Sequence, residues 1–207
     1  MFENYQSPWM DEELHIMRDA VKKFLSKEFL PYVGKWEKQG FIDRDAWLKA
    51  GEAGILCASI PEEYGGGGGN FKHEMVLVEE LGYARISGFG NGVHSGIVAH
   101  YINSYGTEEQ KLKWLPKMAT GEIISAIAMT EPGTGSDLQA VATTAINDGQ
   151  NYVVNGQKTF LTNGGTANLI CLVAKTDPAE TSKGISLIMV ETESVEGDGG
   201  FTRGANL

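Results

Sequence analysis

The 207-residue sequence predicts an α+β fold, a helical N-terminal domain followed by an antiparallel β domain. Three observations carry this. Apolar residues recur at helical spacing from residue 11 to about 120; from Gly121 onward the period changes to the alternation of short strands; and Asn-Gly and Asp-Gly pairs punctuate the second region as turns do. The domains are therefore residues 1–121, α-helical, and 122–207, β.

Within the first domain, Leu14, Met17, Val21, Phe24 and Leu25 share one helical face with charges between them, and Pro31 is expected to kink or end that helix before Tyr32. Asp43 is placed to N-cap a short helix through Trp47 and Ala50 that stops near 51–54. Ser59-Ile-Pro-Glu-Glu-Tyr64 leads into five glycines, 65–69. No Gly-Lys-Ser/Thr follows, and Asn70 and Phe71 stand where a dinucleotide fingerprint needs its last glycine, so the run reads as a flexible loop. Phe71, Met75, Val78 and Leu81 mark the inner face of the next helix, ended by Gly82, and Val93, Ile97 and Tyr101 that of a third. Thr107-Glu-Glu-Gln110 is a capping box opening a fourth, with Leu112, Leu115 and Met118 inward and Gly121 as its stop.

Beyond Gly121 the strands are expected at 123–131, 140–146, 151–154, 157–162, 169–174 and 185–191. Asn155-Gly156 predicts a hairpin between the third and fourth, and Asp148-Gly149 and Asn163-Gly164-Gly165 mark further turns.

Composition removes several function classes. A formal charge of −10 provides no basic stripe for nucleic acid and no attraction to an anionic membrane. No apolar run reaches the length of a transmembrane segment, and residues 1–13 are acidic, without an apolar or Arg-rich leader. A cytoplasmic, bacterial protein fits, as does a mitochondrial matrix protein whose transit peptide has been removed. Cys57 and Cys171 are far apart in apolar surroundings and read as reduced core thiols. Histidines 15, 73, 94 and 100 lack metal-ligand spacing, and no serine sits in Gly-x-Ser-x-Gly. Glu131 falls on the strand face opposite Thr130, where an acid is solvated or paired, and Glu79-Glu80 reads as helix surface, so no catalytic acid or base stands out.

The informative stretch is Ile127-Ala-Met-Thr-Glu-Pro-Gly-Thr-Gly-Ser-Asp137. An apolar strand ends at Pro132-Gly133, Gly135 follows, and Thr130, Thr134 and Ser136 flank the turn. Glycines and hydroxyls there let backbone amides approach a phosphate or the rim of a heterocycle, although a Pro-Gly hairpin corner would have the same composition. At period two, Lys158, Phe160 and Thr162 share a face. That face suits the wall of a flat, hydrogen-bonding ring system, and equally a half-buried edge strand.

Together these residues resemble the acyl-CoA dehydrogenase family. Its signature appears as Ala128-Met-Thr-Glu-Pro-Gly-Thr-Gly-Ser-Asp137, and its second motif as Asn155-Gly-Gln-Lys-Thr-Phe-Leu-Thr-Asn-Gly164. Pro61-Glu-Glu-Tyr-Gly-Gly66, Tyr105-Gly-Thr-Glu-Glu-Gln110 and Gly184-Ile-Ser-Leu187 are also family-like, and the resemblance runs in order along essentially the whole chain. His94-Ser-Gly-Ile-Val98, Ala126-Ile-Ala-Met-Thr-Glu131 and Asp137-Leu-Gln139 look closest to long-chain members.

The resemblance implies a helical domain, a middle β-barrel and a C-terminal four-helix domain, with FAD between the last two; here the barrel would be incomplete and the four-helix domain absent. It assigns Ile127, Ala128, Met129, Thr130, Glu131, Pro132, Gly133, Thr134, Gly135 and Ser136 to the flavin, with Thr130 on the pyrimidine side and Ser136 also touching acyl-CoA. It places Phe160, Leu161 and Thr162 on another flavin face, Thr162 at the hydride-accepting end, and Ser182 and Lys183 beside CoA. The implied reaction is α,β-dehydrogenation of an acyl-CoA thioester in fatty-acid β-oxidation, with electrons passing to an electron-transferring flavoprotein and the full-length enzyme a dimer or tetramer. The family's catalytic glutamate lies in the C-terminal domain, so no catalytic residue is assigned here. Thr134 replaces a small residue, which the turn is expected to tolerate, and Gly197-Asp-Gly-Gly200 and Ala205 make the tail atypical. A non-catalytic helical/β binding module, or a flavin oxidase or monooxygenase of the same fold, stands as the alternative.

Overall fold

The computed structural model describes residues 7–195 and 200–204. The expectations for 197–199 and Ala205 lie outside these described residues. The chain forms two compact units, Met1–Ile123 and Ile124–Leu207.

Helix α1, Glu12–Phe24, opens where Asp11 accepts the Leu14 amide at 3.0 Å, and buries Leu14 and Val21 as the spacing requires. Pro31 does not stop the helical path. A π turn, Leu25–Phe29, and a 3₁₀ turn, Leu30–Tyr32, absorb the missing amide, and α2, Val33–Gln39, continues to Gly40 in the left-handed region at φ 81°. The detour buries Phe29 and Trp36. Their rings begin an aromatic chain, with Phe29 4.9 Å from Phe89, Phe89 4.6 Å from Trp47, and Trp47 5.2 Å from His94. Asp43 precedes α3, Arg44–Glu52, but makes no side-chain cap. Its carboxylate is taken by Gln39 and Lys35, whose hydrogen bonds hold its pKa at about 2.

The glycine run is ordered by backbone packing. Gly67, Gly68 and Gly69 donate to Cys57, Ile60 and Ala58 carbonyls at 3.1, 2.9 and 3.0 Å. A Cβ on Gly66 would stand 2.2 Å from the Ile60 carbonyl oxygen, and one on Gly67 2.8 Å from that of Ala58. These positions are glycine because two backbones lie against each other, not because the loop is flexible.

Helix α4, Phe71–Tyr83, is turned from its expected face. It buries Glu74, Val76, Leu77, Glu80 and Leu81, whereas Phe71 and Val78 are exposed. Polar partners make this possible: Glu80 meets Arg18 of α1, and Glu74 accepts from the Ser59 hydroxyl and amide at 3.0 and 3.2 Å. Glu80 is therefore interior, not helix surface. The next helical stretch, α5 (Asn91–Val93), a π turn His94–Val98 and α6 (Ala99–Tyr105), likewise buries Asn91, His94, Ser95, Val98, Ala99 and Ile102, leaving Ile97 and Tyr101 outward. Ser95 donates to Asn91 at 2.6 Å and accepts the Cys57 amide at 2.9 Å, so the polar side chains are satisfied inside. Helix α7, Glu108–Ala119, carries the expected reciprocal capping box of Thr107 and Gln110 and ends at Gly121, φ 78°. Trp114 takes the inward place expected of Leu112, which is exposed.

The second unit contains a mixed sheet. Strand β1, Ser125–Ala128, runs parallel to β4, Leu169–Lys175; β5, Ile185–Glu191, is antiparallel to β4 along its whole length. Strand β2, Thr144–Asn147, meets β4 in parallel at Lys175 and pairs antiparallel with β3, Tyr152–Asn155. The sheet is thus not wholly antiparallel, because the long connection after β1 brings β2 back in the same direction, and β4, reached from β3, runs parallel to both β1 and β2. Asp148-Gly149 makes the β2–β3 hairpin. Asn155-Gly156 does not form the expected hairpin, and 157–162 forms no strand; at Gly156 a Cβ would stand 2.2 Å from the Thr143 hydroxyl oxygen, so glycine there serves packing. Cys57 and Cys171 are free and buried, their thiols pushed up to about 12 and 11 by burial.

Two glycine-to-alanine changes separate the roles glycine plays in the helical unit. Gly66→Ala is expected to lower unfolding free energy by about 1–3 kcal/mol through overpacking. Gly82→Ala, in α4 with nothing within 4 Å of the added Cβ, is expected to raise it by about 0.5–1 kcal/mol. Urea denaturation of both variants measures the difference.

Candidate functional site

Strand β1 is built of small side chains, with Ser125, Ala126 and Ala128 buried and Ile127 half-buried. After Ala128 the chain leaves the sheet through Met129 and Thr130 and folds into a two-residue corner. Glu131 and Thr134 exchange backbone hydrogen bonds at 2.9 and 3.1 Å across Pro132-Gly133. The corner and the following Gly135 and Ser136 are exposed, and nothing lies within 4 Å of where a Cβ on Gly133 or Gly135 would stand. The backbone here is open to close approach from outside. Thr134 is accommodated: it is buried, and its hydroxyl donates to the Ala140 carbonyl at 3.0 Å.

The side chain of Glu131 turns inward. Its carboxylate accepts from the Ala142 amide at 2.6 Å, the Thr143 amide at 2.9 Å, the Thr143 hydroxyl, and Lys158 Nζ at 2.8 Å. Burial by itself raises the pKa of this group. The hydrogen bonds from Lys158, Thr143 and the two amides outweigh that and hold it at about 2. A carboxylate so held has little affinity for a proton at neutral pH and has its oxygens engaged, so it is a poor general base.

Segment 157–163 lies along β1 and its extension. Lys158 Nζ donates to the Met129 carbonyl at 2.9 Å, the Thr159 amide to the Thr130 carbonyl at 2.9 Å, and Asn163 Nδ2 to the Ser125 carbonyl at 3.0 Å. The structure therefore brings the two sequence motifs side by side. It does not do so through the shared face of Lys158, Phe160 and Thr162. Phe160 sits in the left-handed region at φ 57°, a conformation that costs a bulky residue on the order of 1–3 kcal/mol. That reversal turns Lys158 inward, sends Leu161 onto the cluster of Ala126, Ala128, Ile170 and Leu172, and leaves the Phe160 ring 73 % exposed and Thr162 exposed. A strained backbone that presents a bare aromatic ring beside a hydroxyl is a wall suited to a planar ligand. The far end is secured by Arg203, which donates to the Gly164 and Ala167 carbonyls at 2.6 and 2.9 Å and to Thr192 at 3.0 Å.

Ser182 and Lys183 are exposed on the 3₁₀ turn Ser182–Gly184 between β4 and β5. Because β1 and β4 are parallel, this turn and the Ser136 stretch both leave the sheet from the C-terminal ends of these strands. Among the described residues no cluster of His, Cys, Asp and Glu could hold a metal, and no helix is long and apolar enough to cross a membrane. Lys158, Thr143 and Arg203 escaped the sequence reading in these roles. The available signal was electrostatic: the second motif carries a single charge, Lys158, and the first carries Glu131 next to the apolar strand, of opposite sign.

Comparison with known proteins matches residues 11–122 to the family described as acyl-CoA dehydrogenase, N-terminal domain, and residues 126–206 to acyl-CoA dehydrogenase, middle domain. The mitochondrial long-chain specific acyl-CoA dehydrogenase of Rattus norvegicus is 44 % identical over 197 residues, which cover 94 % of this chain and 45 % of that protein. A crystal structure of acyl-CoA dehydrogenase from Geobacillus kaustophilus superposes with a TM-score of 0.86 at 53 % identity, covering 90 % of this chain and 50 % of that one. An acyl-CoA dehydrogenase complexed with FAD from Bacillus anthracis superposes with a TM-score of 0.81 at 34 % identity, covering 91 % of this chain and 32 % of that one. The chain thus spans about half the length of the first two relatives.

The pKa of Glu131 gives the stability of the β unit a pH dependence of definite sign. The folded value, about 2, lies below the ordinary 4.5, so the contribution is complete above pH 4.5 and is lost as pH falls towards 2. Glu131→Gln is expected to destabilise by about 3 kcal/mol near pH 7. Its deficit relative to the wild type should shrink in acid, as followed by thermal melts across that window.

Proposed function

The chain belongs to the acyl-CoA dehydrogenase family, and from that premise we propose that it forms the FAD-facing part of an enzyme that dehydrogenates acyl-CoA thioesters between Cα and Cβ. The observation that carries the reading is the junction of the two motifs. Met129 and Thr130 accept hydrogen bonds from Lys158 and Thr159, so the segments leading to the exposed Ser136 corner and to the exposed Phe160 and Thr162 are joined directly. The donor set fits FAD. Open glycine backbone and the Ser136 hydroxyl suit its phosphate, Thr130 and Thr162 offer hydroxyls to the polar edge of the isoalloxazine, and Phe160 offers an apolar ring to its face. When bound, FAD supplies the hydride acceptor for the β-carbon.

In this reading the protein's own groups bind, orient and shield. The Phe160 ring excludes water from one side of the reacting centre, and Thr162 holds a hydrogen bond at the hydride-accepting end. Ser182 and Lys183 meet the CoA moiety, the lysine as a cation for its phosphates. Glu131 is engaged and of low proton affinity, and the base that removes the α-proton is proposed to come from residues outside these 207, a reading that relatives about twice as long support. The named long-chain relative supports fatty-acid β-oxidation as the setting, with an electron-transferring flavoprotein proposed as the electron acceptor. The complete protein is proposed as a homo-oligomer.

Flavin titration of the chain alone and of the product of its complete reading frame tests the proposal. The chain alone is expected to bind FAD saturably but weakly, losing it on gel filtration, and to show no dehydrogenase activity. The complete product should hold yellow flavin that bleaches anaerobically with an acyl-CoA. Ser136→Ala and Thr162→Val should each weaken FAD binding about tenfold, the worth of one hydrogen bond to a charged or strongly polar group. A complete product that neither retains flavin nor reduces it with any acyl-CoA would refute the assignment.

A further inference from the structure

Lys158 is a buried cation to which the dehydrogenase reading gives no part in the chemistry. Its side chain is 7 % exposed and that of its partner Glu131 6 %. Stability alone is a weak reason to keep such a pair, since apolar replacements of a buried ion pair are often neutral or stabilising. The placement of the donors is more informative. Nζ divides its bonds between the Met129 carbonyl, on the first flavin-facing segment, and Glu131 Oε1, while the same carboxylate accepts from Ala142 and Thr143 on the strand-like return towards β2. The next residue, Thr159, donates to Thr130. The ammonium–carboxylate pair therefore ties three stretches of chain at the point where the exposed corner and the exposed wall diverge.

We propose that Lys158 is a positioning residue for the cofactor: by bonding the Met129 carbonyl and Glu131 together it sets the separation of the 130–136 and 160–162 walls without touching flavin or substrate. The inference rests on the FAD reading above and adds to it the device that fixes the cradle's width. It also accounts for the strain at Phe160, because a segment pinned at Lys158 and Thr159 on one side and at Asn163 on the other must reverse its backbone to turn the ring outward.

The test compares wild type, Lys158→Met and the charge-neutral double variant Lys158→Met with Glu131→Gln, each in the full 207-residue chain. Melting temperature without flavin, FAD affinity by titration, and hydrogen exchange at the Thr159 amide are measured for each. Lys158→Met leaves Glu131 buried without its cation, so both melting temperature and FAD affinity are expected to fall. The double variant should recover most of the melting temperature yet remain weaker for FAD by about tenfold, with the Thr159 amide exchanging faster than in wild type by a similar factor. Recovery of FAD affinity together with melting temperature would overturn the proposal, reducing Lys158 to neutralisation of a buried charge. If the wild type itself shows no saturable FAD binding, the flavin reading of this chain fails. The exchange measurement then decides positioning alone: faster exchange at Thr159 in the double variant upholds it, and unchanged exchange overturns it.

Discussion

Removing the Glu131 carboxylate from water is unfavourable by several kcal/mol unless its oxygens are met by donors, and the β unit meets them from two separate stretches of chain, 142–143 and Lys158. Satisfying this one group requires the amides of Ala142 and Thr143 to turn towards it, and Lys158 to reach inward from the far side of β3. Much of the local architecture follows. The Pro132-Gly133 corner is held by the Glu131–Thr134 pairing, segment 157–163 is drawn along β1, and the alternation expected there is broken so that Phe160 points out while Leu161 packs in. The exposed groups proposed to face FAD are those the buried charge network leaves over.

The helical unit uses the same physics with different partners. Glu74, Glu80, Asn91, His94 and Ser95 are interior polar groups, each met by a named partner or by its neighbour in the helix. His94 shows the consequence for charge: wholly buried and bonded to the Met118 carbonyl at 3.0 Å, it is pushed down to about 4 by desolvation and stands neutral in the aromatic chain. Such groups occupy inner faces that apolar counting assigns to Val78, Ile97 and Tyr101, and those side chains are outward instead. The irregular π turns at Leu25–Phe29 and His94–Val98 shift the phase further, since each inserts an extra residue into the helical period.

A division of labour emerges within the proposed chemistry. Among groups with perturbed ionisation in the β unit, Glu131 and Cys171 are interior and structural, and Asp148 is lowered by the backbone amides of Asn151 and Gln150 in the β2–β3 hairpin. Groups that remain available, the hydroxyls of Ser136 and Thr162, the Phe160 ring and the open glycine backbone, are exposed and are proposed to bind and shield. This chain is thereby suited to hold a redox cofactor that carries the difficult chemistry, and to leave acid–base work to other residues.

Much of this was legible in the sequence. The switch from helical to alternating period near Gly121, the capping box at Thr107, the left-handed stop at Gly121, strand β5, and the two motifs that converge beside β1 are all local features, encoded by residues within a few positions of one another. Tertiary structure alone decided which way Lys158 and Phe160 face, which turn closes a hairpin, why the glycines at 66 and 67 are required, and which helical faces are interior. Each of these depends on a partner distant in sequence: Glu131 for Lys158, Thr143 for Gly156, Ile60 and Ala58 for the glycine run, Arg18 for Glu80. Periodicity reports how a side chain would sit if only its hydrophobicity mattered. Where a buried polar group must find its hydrogen bonds, the location of the partner sets the outcome, and that location exists only once the chain has folded.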